Sequence, residues 1–140
     1  LSGFFDIEKN IKRLDEATVS VYIPALATGS DEETPIFVAP RDCQILAVGI
    51  IVADAITGVA DNNFEGQFIN KGSAGTGTDS IALKEYANGV DLAAFVFDDY
   101  GTITNGTLSE GDTVTFAKVE NGTGMDQPAL VAIVQYRHIR

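Results

Sequence analysis

An all-β domain, a single eight-stranded β-sandwich of jelly-roll character, is the fold class this sequence predicts, and three observations predict it. Short runs of strand-forming residues are separated by turns rich in Asn, Asp and Gly. Helical periodicity is confined to residues 1–17. Two of the strands are apolar on both faces.

Residues 1–17 (LSGFFDIEKNIKRLDEA) stand apart from the rest. Phe4, Ile7, Ile11 and Leu14 recur at helical spacing, Asp6 can cap the start, and no Gly or Pro interrupts residues 4–17, so a short amphipathic helix or arm is predicted. About a dozen helical residues are marginal alone in water. The stripe, with Phe5 beside it, therefore needs a surface, either on its own β-domain (residues 18–140) or on a neighbouring molecule.

The β-domain opens with Val19, Val21 and Ile23 alternating with Thr18, Ser20 and Tyr22, and Pro24 ends that strand. Residues 29–35 (GSDEETP) read as a polar loop. The long apolar strand over residues 43–56 follows. Cys43, Ile45, Ala47, Gly49, Ile51 and Ala53 are predicted to share one of its faces, and Leu46, Val48, Ile50 and Val52 the other. Further strands are predicted over residues 64–70, 80–86 and 92–97 (LAAFVF), weakly near 102–108, and over 113–120 (TVTFAKVE). In the last strand, residues 128–137, Leu130, Ala132, Val134 and Tyr136 share a face, while Val131 and Ile133 lie opposite.

A lone sandwich should be polar outside. The excess apolar faces therefore predict a subunit interface formed by Leu46, Val48, Ile50, Val52, Val131 and Ile133, with the N-terminal helix as the rival cover.

Charge narrows the partners. Residues 14–136 hold eighteen acids against four bases, a balance of −14. Residues 1–13 carry +1, and Arg137 with Arg140 adds +2. An acidic body repels phosphate backbones, so no nucleic-acid partner is expected. The longest apolar run, residues 45–53, is half of the roughly 18 residues that suggest a membrane span, so no membrane partner is expected either. A start at Leu1 leads us to expect that upstream residues were removed.

Little in the chain is equipped for catalysis. His138 is the only histidine and Cys43 the only cysteine, so neither a zinc cluster nor a Ser/His/Asp relay can be assembled from recognisable motifs. No catalytic, cofactor or metal residue is assigned. Asp31, Glu32, Glu33, Asp54, Asp61, Asp98, Asp99, Asp112 and Asp126 lie mostly in predicted loops that could offer oxygens to Ca²⁺, but no EF-hand spacing occurs and solvated turns are the default. The run GSAGTG (residues 72–77) leads into a strand instead of a helix and reads as a turn, not a phosphate loop. Four scattered tyrosines without tryptophan make a weak sugar platform.

The order IFVAPRDCQILAVGIIV, ITGVADNNFEGQFINKGSAGTGTD, LSEGDTVTF and ALVAIVQY resembles the head decoration, or cement, proteins of tailed bacteriophages that carry a jelly-roll domain. The resemblance covers residues 34–137 and rests on strand and turn order. It implies a structural virion protein that is made in the host cytoplasm, self-associates as a homotrimer and binds the major capsid protein on the outer surface of an assembled capsid, without cofactor or chemistry. Residues 1–17 match no motif of that family, and it is their residue pattern alone that leads us to expect Phe4, Phe5, Ile7, Ile11 and Leu14 to contact the capsid or a neighbouring subunit. A phage tail or fibre adsorption module, or a non-viral carbohydrate-binding β-sandwich, is the alternative.

Overall fold

The computed structural model describes residues 15–139, which form two antiparallel sheets facing each other across one core. The strands are β1 (Glu16–Ile23), β2 (Glu32–Val38), β3 (Cys43–Val52), β4 (Phe64–Gly72), β5 (Asp79–Glu85), β6 (Asp98–Asp99), β7 (Thr107–Leu108), β8 (Thr113–Glu120) and β9 (Leu130–His138). One sheet has the order β1-β9-β3-β6, with β7 also on β3, and the other has the order β2-β8-β4-β5. No helix occurs among the described residues. The predicted N-terminal helix, with Phe4, Phe5, Ile7, Ile11 and Leu14, lies outside them apart from its last residues, where Glu16 and Ala17 already belong to β1.

The pairings nest. β1 pairs β9, β2 pairs β8, β3 pairs β6 and β7, and β4 pairs β5, all antiparallel. A long hairpin rolled until β3 meets β9 and β4 meets β8 produces this order. Phe64, Phe68, Phe116, Ile50, Val48 and Leu130 fill the space between the sheets, each at most 2 % exposed. Edge-to-face stacking of Phe68 on Phe116 and Tyr100 adds direction to that packing.

Several elements differ from the sequence reading, each for a local reason. Glu32, Glu33, Thr34 and Pro35, expected in a loop, begin β2. Pro35 is tolerated because β2 is an edge strand with a register shift between Pro35 and Phe37, so the missing N–H costs no ladder bond. Residues 92–97, expected as a strand, form a turn instead, and the pairing moves to Asp98 and Asp99. The weak strand expected over residues 102–108 shortens to β7, so β6 and β7 act as two pieces of one interrupted strand beside β3.

The most consequential difference is in β3. Ile45 faces Tyr136 and Ala47 faces Gln135, so Leu46 is an extra residue, a β-bulge. Side-chain alternation reverses there. Cys43 and Ile45 point inward before the bulge, and Val48, Ile50 and Val52 point inward after it. The expectation that Val48, Ile50 and Val52 form the subunit interface is thereby corrected, because they are enclosed in the monomer's own core.

One end of the sandwich is tied by charge. Lys118 points inward near the end of β8, and its Nζ donates to the Ala27 carbonyl (3.0 Å) and to Glu120 Oε1 (2.8 Å). Glu120 also accepts from the Gly29 and Ser30 N–H groups, and Asp126 accepts from the Thr28 N–H and hydroxyl. The Lys118 hydrogen bond, then those backbone donors, hold the Glu120 carboxyl below its ordinary value; the Thr28 N–H and hydroxyl do the same for Asp126.

Two predictions follow from this architecture. Ile50→Ala should lower unfolding free energy by about 2–5 kcal/mol in denaturant titration, as loss of a core side chain does. A small loss there would mean that Ile50 is not a core residue. Because folded Glu120 and Asp126 hold protons less readily than in the unfolded chain, their contribution is complete above the ordinary carboxylate range of about pH 4 and is lost as pH falls through the folded values. Glu120→Gln should accordingly flatten the fall in thermal midpoint between about pH 5 and pH 3, followed by circular dichroism.

Candidate docking face

The outer sides of the two sheets are dressed differently. On the four-stranded sheet, Glu33, Thr115, Gln67 and Lys71 face outward, joined by a Thr115–Glu33 hydrogen bond and a Lys71–Glu33 ion pair at 3.3 Å. Leu83, 48 % exposed, and the half-buried Ile69 and Val119 share that side, so it mixes polar and apolar groups. The five-stranded sheet presents rows set by its register: Tyr22, Val131 and Ile51 in one, Ser20, Ile133 and Gly49 in the next, Thr18, Gln135 and Ala47 in the third. Val131, Ile133 and Ile51 are half-buried, with no polar side chain of the sheet between them.

The turn at residues 92–97 builds the rim of this face. Ile56 and Leu92 exchange backbone hydrogen bonds at 2.8 and 2.9 Å, and the Phe95 N–H donates to the Val52 carbonyl at 2.9 Å, which fastens the turn to the end of β3. Asp98 then turns toward the other sheet, where its carboxylate accepts from Lys84 Nζ (2.5 Å) and the Tyr86 hydroxyl (3.0 Å). Alternation sends Phe97 the opposite way, outward over β3. It comes to rest on Gly49. A Cβ at Gly49 would lie 2.7 Å from Phe97 Cε1 and 2.1 Å from the Asp98 carbonyl oxygen, so only glycine allows β6 and Phe97 to sit this close.

The consequence is three consecutive exposed apolar residues, Phe95 at 78 %, Val96 at 52 % and Phe97 at 42 %, next to Tyr22 at 66 %. A groove of about 380 Å³ runs between Thr18, Ala47, Ile51, Phe97, Asp99, Ile133 and Gln135. A second, of about 130 Å³, lies between Phe95, Tyr22, Ile51 and Val131. Phe95 adopts φ of 63°, a left-handed conformation that costs an L-residue with a bulky side chain roughly 1–2 kcal/mol. Strain of this kind persists where a side chain is held in place for use.

Of the residues assigned from sequence, the structure keeps Val131 and Ile133 on the outer face, leaves Leu46 partly buried at the bulge, and encloses Val48, Ile50 and Val52. Ile51, Ala47, Tyr22, Phe95 and Phe97 belong to the face and were missed. A strand reading of residues 92–97 hid the two phenylalanines. No glycine or proline marks the bulge that turned Ile51 outward.

Other clusters are built for structure. Tyr86 and Tyr100 share a hydroxyl contact of 3.1 Å, and burial pushes both phenols well above their ordinary range. Cys43 is enclosed opposite His138, and burial, then Asp112 and Asp42, raise its thiol. His138 is paired within β9, its ring edge-on to Tyr136 at 5.4 Å, and its N–H donates to the Asp15 carbonyl at 2.9 Å. Loop acids serve as local acceptors: Asp31 takes the Glu120 N–H, Asp99 the Gly101 N–H, and Asp112 the Ser109 N–H. Among the described residues no group of three or more His, Cys, Asp or Glu side chains could hold a metal ion. The cavity beside Lys118 and Gln127 encloses only about 40 Å³, far below the roughly 300 Å³ of small-ligand sites.

Fold and face together define a two-sheet β-sandwich whose five-stranded sheet carries an apolar outer patch rimmed by Phe95, Val96 and Phe97. Comparison with protein-family models, with curated proteins and with solved structures found no match.

Phe95→Gly separates strain from use. Removing a largely exposed side chain from a left-handed position should leave thermal stability unchanged or raise it by up to about 1 kcal/mol, the added freedom of the unfolded chain offsetting part of the relief. A strongly destabilised Phe95→Gly would assign the residue to the core instead.

Proposed function

We propose that this chain is a jelly-roll decoration protein of a tailed bacteriophage, which self-associates, as a homotrimer, and binds the major capsid protein on the outside of an assembled capsid. The observation that carries this reading is the run of exposed apolar residues at 95–97 beside the apolar rows of the five-stranded sheet. Contiguous exposed apolar surface rimmed by polar residues marks a protein-binding site, and Phe95, Val96, Phe97, Ile51, Val131 and Ile133 provide one. The nested strand pairing supports the jelly-roll part, since two interleaved Greek keys give that order. The capsid as target is supported by the resemblance in strand and turn order over residues 34–137. A protein of this kind performs no chemistry; it works by adding contacts across a lattice.

A second reading, a carbohydrate-binding sandwich, is favoured by one observation, the exposed aromatic trio Tyr22, Phe95 and Phe97. Sugars require several placed hydrogen-bonding groups beside an aromatic platform. The groove between Phe95 and Tyr22 is walled otherwise by Ile51, Val52, Ala53, Ala129, Leu130 and Val131, which offer no polar side chain. A protein partner suits it better.

Incubation of the full chain with assembled capsids of the phage that encodes it, followed by pelleting, tests the proposal. Saturable co-pelleting that Phe97→Asp reduces at least tenfold is expected. Absence of co-pelleting, or glycan binding that depends on Tyr22 and Phe95, would overturn it.

A further inference from the structure

We propose that the outer face of the five-stranded sheet is the receptor for residues 4–14 of a neighbouring copy of this chain, so that subunits join by exchanging N-terminal arms. The inference rests on the self-association in the functional reading above and names the surfaces that carry it.

Length is the first argument. Phe4, Ile7, Ile11 and Leu14 recur at helical spacing, and a helix over residues 4–14 would run about 16 Å at 1.5 Å per residue. The apolar floor between the Thr18 and Tyr22 rows spans four residues, about 14 Å at strand rise. Stripe and floor match.

Connection is the second argument, and it selects the neighbour over the chain itself. Only Asp15 separates Leu14 from β1, and the Asp15 carbonyl accepts from the His138 N–H at 2.9 Å, which fixes that residue to the sheet. Chain reversal between a helix and a strand normally takes 2–6 residues. A single anchored residue is too short to lay the stripe back over the face of the strand it enters, whereas the same face on an adjacent copy is free of that constraint.

Charge is the third. Lys9, Lys12 and Arg13 lie between the stripe positions with Asp6 and Glu8, a balance of +1, while the receiving face carries Asp99 in its groove and, at the start of β1, Glu16 opposite Arg137. Pairing of an arm cation with Asp99 would orient the arm and make docking weaken modestly with salt. The contact joins two different surfaces, arm to face, and is heterologous; such contacts close into rings when the rotation permits, as a trimer requires.

Cross-linking of full-length variants that each add one cysteine tests the exchange. Lys9→Cys and Ser20→Cys leave the apolar stripe and floor intact, Ser20 being exposed on the outer side of β1, and native Cys43 is enclosed. The two variants, co-expressed with different tags and treated with a flexible bismaleimide, should give a mixed-tag covalent dimer at least fivefold above wild type. Full-length Ile7→Asp should separately drop the light-scattering mass from several subunits to one. A cross-link found only within the Lys9→Cys/Ser20→Cys double variant, none in any sample, or an unchanged mass for Ile7→Asp would each overturn the inference. A protein that cross-links between copies but does not pellet with capsids keeps the exchange and loses the decoration reading; one that pellets without the cross-link keeps decoration and loses the exchange.

Discussion

β3 and β9 pair along the middle of the five-stranded sheet from Cys43 opposite His138 to Val52 opposite Leu130, and the extra residue at Leu46 sets the direction of every β3 side chain beyond it. With Leu46 bulged out of the pairing, Val48, Ile50 and Val52 join Phe64, Phe68 and Phe116 in the core. Ala47, Gly49 and Ile51 are left facing outward. Gly49 is covered by the Phe97 ring, and the small side chain of Ala47 leaves a groove beside it. A large residue at position 49 would collide with β6, and the turn that carries Phe95 and Phe97 could not close on the sheet.

The polar network at the open side of the sandwich completes the placement. Lys84 and Tyr86, from β5 and just past its end, hold Asp98 from the other sheet, and Tyr86 in turn touches the Tyr100 hydroxyl. Tyr100 reaches so close to Gly66 of β4 that a Cβ there would lie 2.2 Å from its hydroxyl. These contacts bridge the two sheets where β6 is only two residues long and its ladder is weak. Breaking the network would therefore release β6, and with it the outward pose of Phe97. The buried polar cluster here fixes the pose of Phe97 through geometry.

Phe95 shows the opposing demands of folding and binding in one residue. Its backbone is in the left-handed region that glycine occupies at little cost, and its ring is mostly in water, so neither term favours phenylalanine in the isolated monomer. Burial against a second molecule, as proposed above, would offset both.

The sequence alone determined the class of fold, because period-2 alternation in β1, β4, β8 and β9 and the Asn, Asp and Gly turns between strands are local signals that tertiary contacts reinforced. It also determined that the chain has more apolar strand surface than one core requires, and it placed Val131 and Ile133 on the outside. Only the tertiary structure decided which side of β3 faces in. Both faces of that strand are apolar, so a one-residue slip exchanges one apolar set for the other at small cost in burial, and nothing in CQILAVGIIV marks the bulge. Residues 92–97 were undecidable for a related reason: LAAFVF has full strand propensity, and it becomes a turn because the Phe95 N–H is taken by Val52 and Asp98 is claimed by Lys84 and Tyr86, partners distant in sequence that local propensity cannot register.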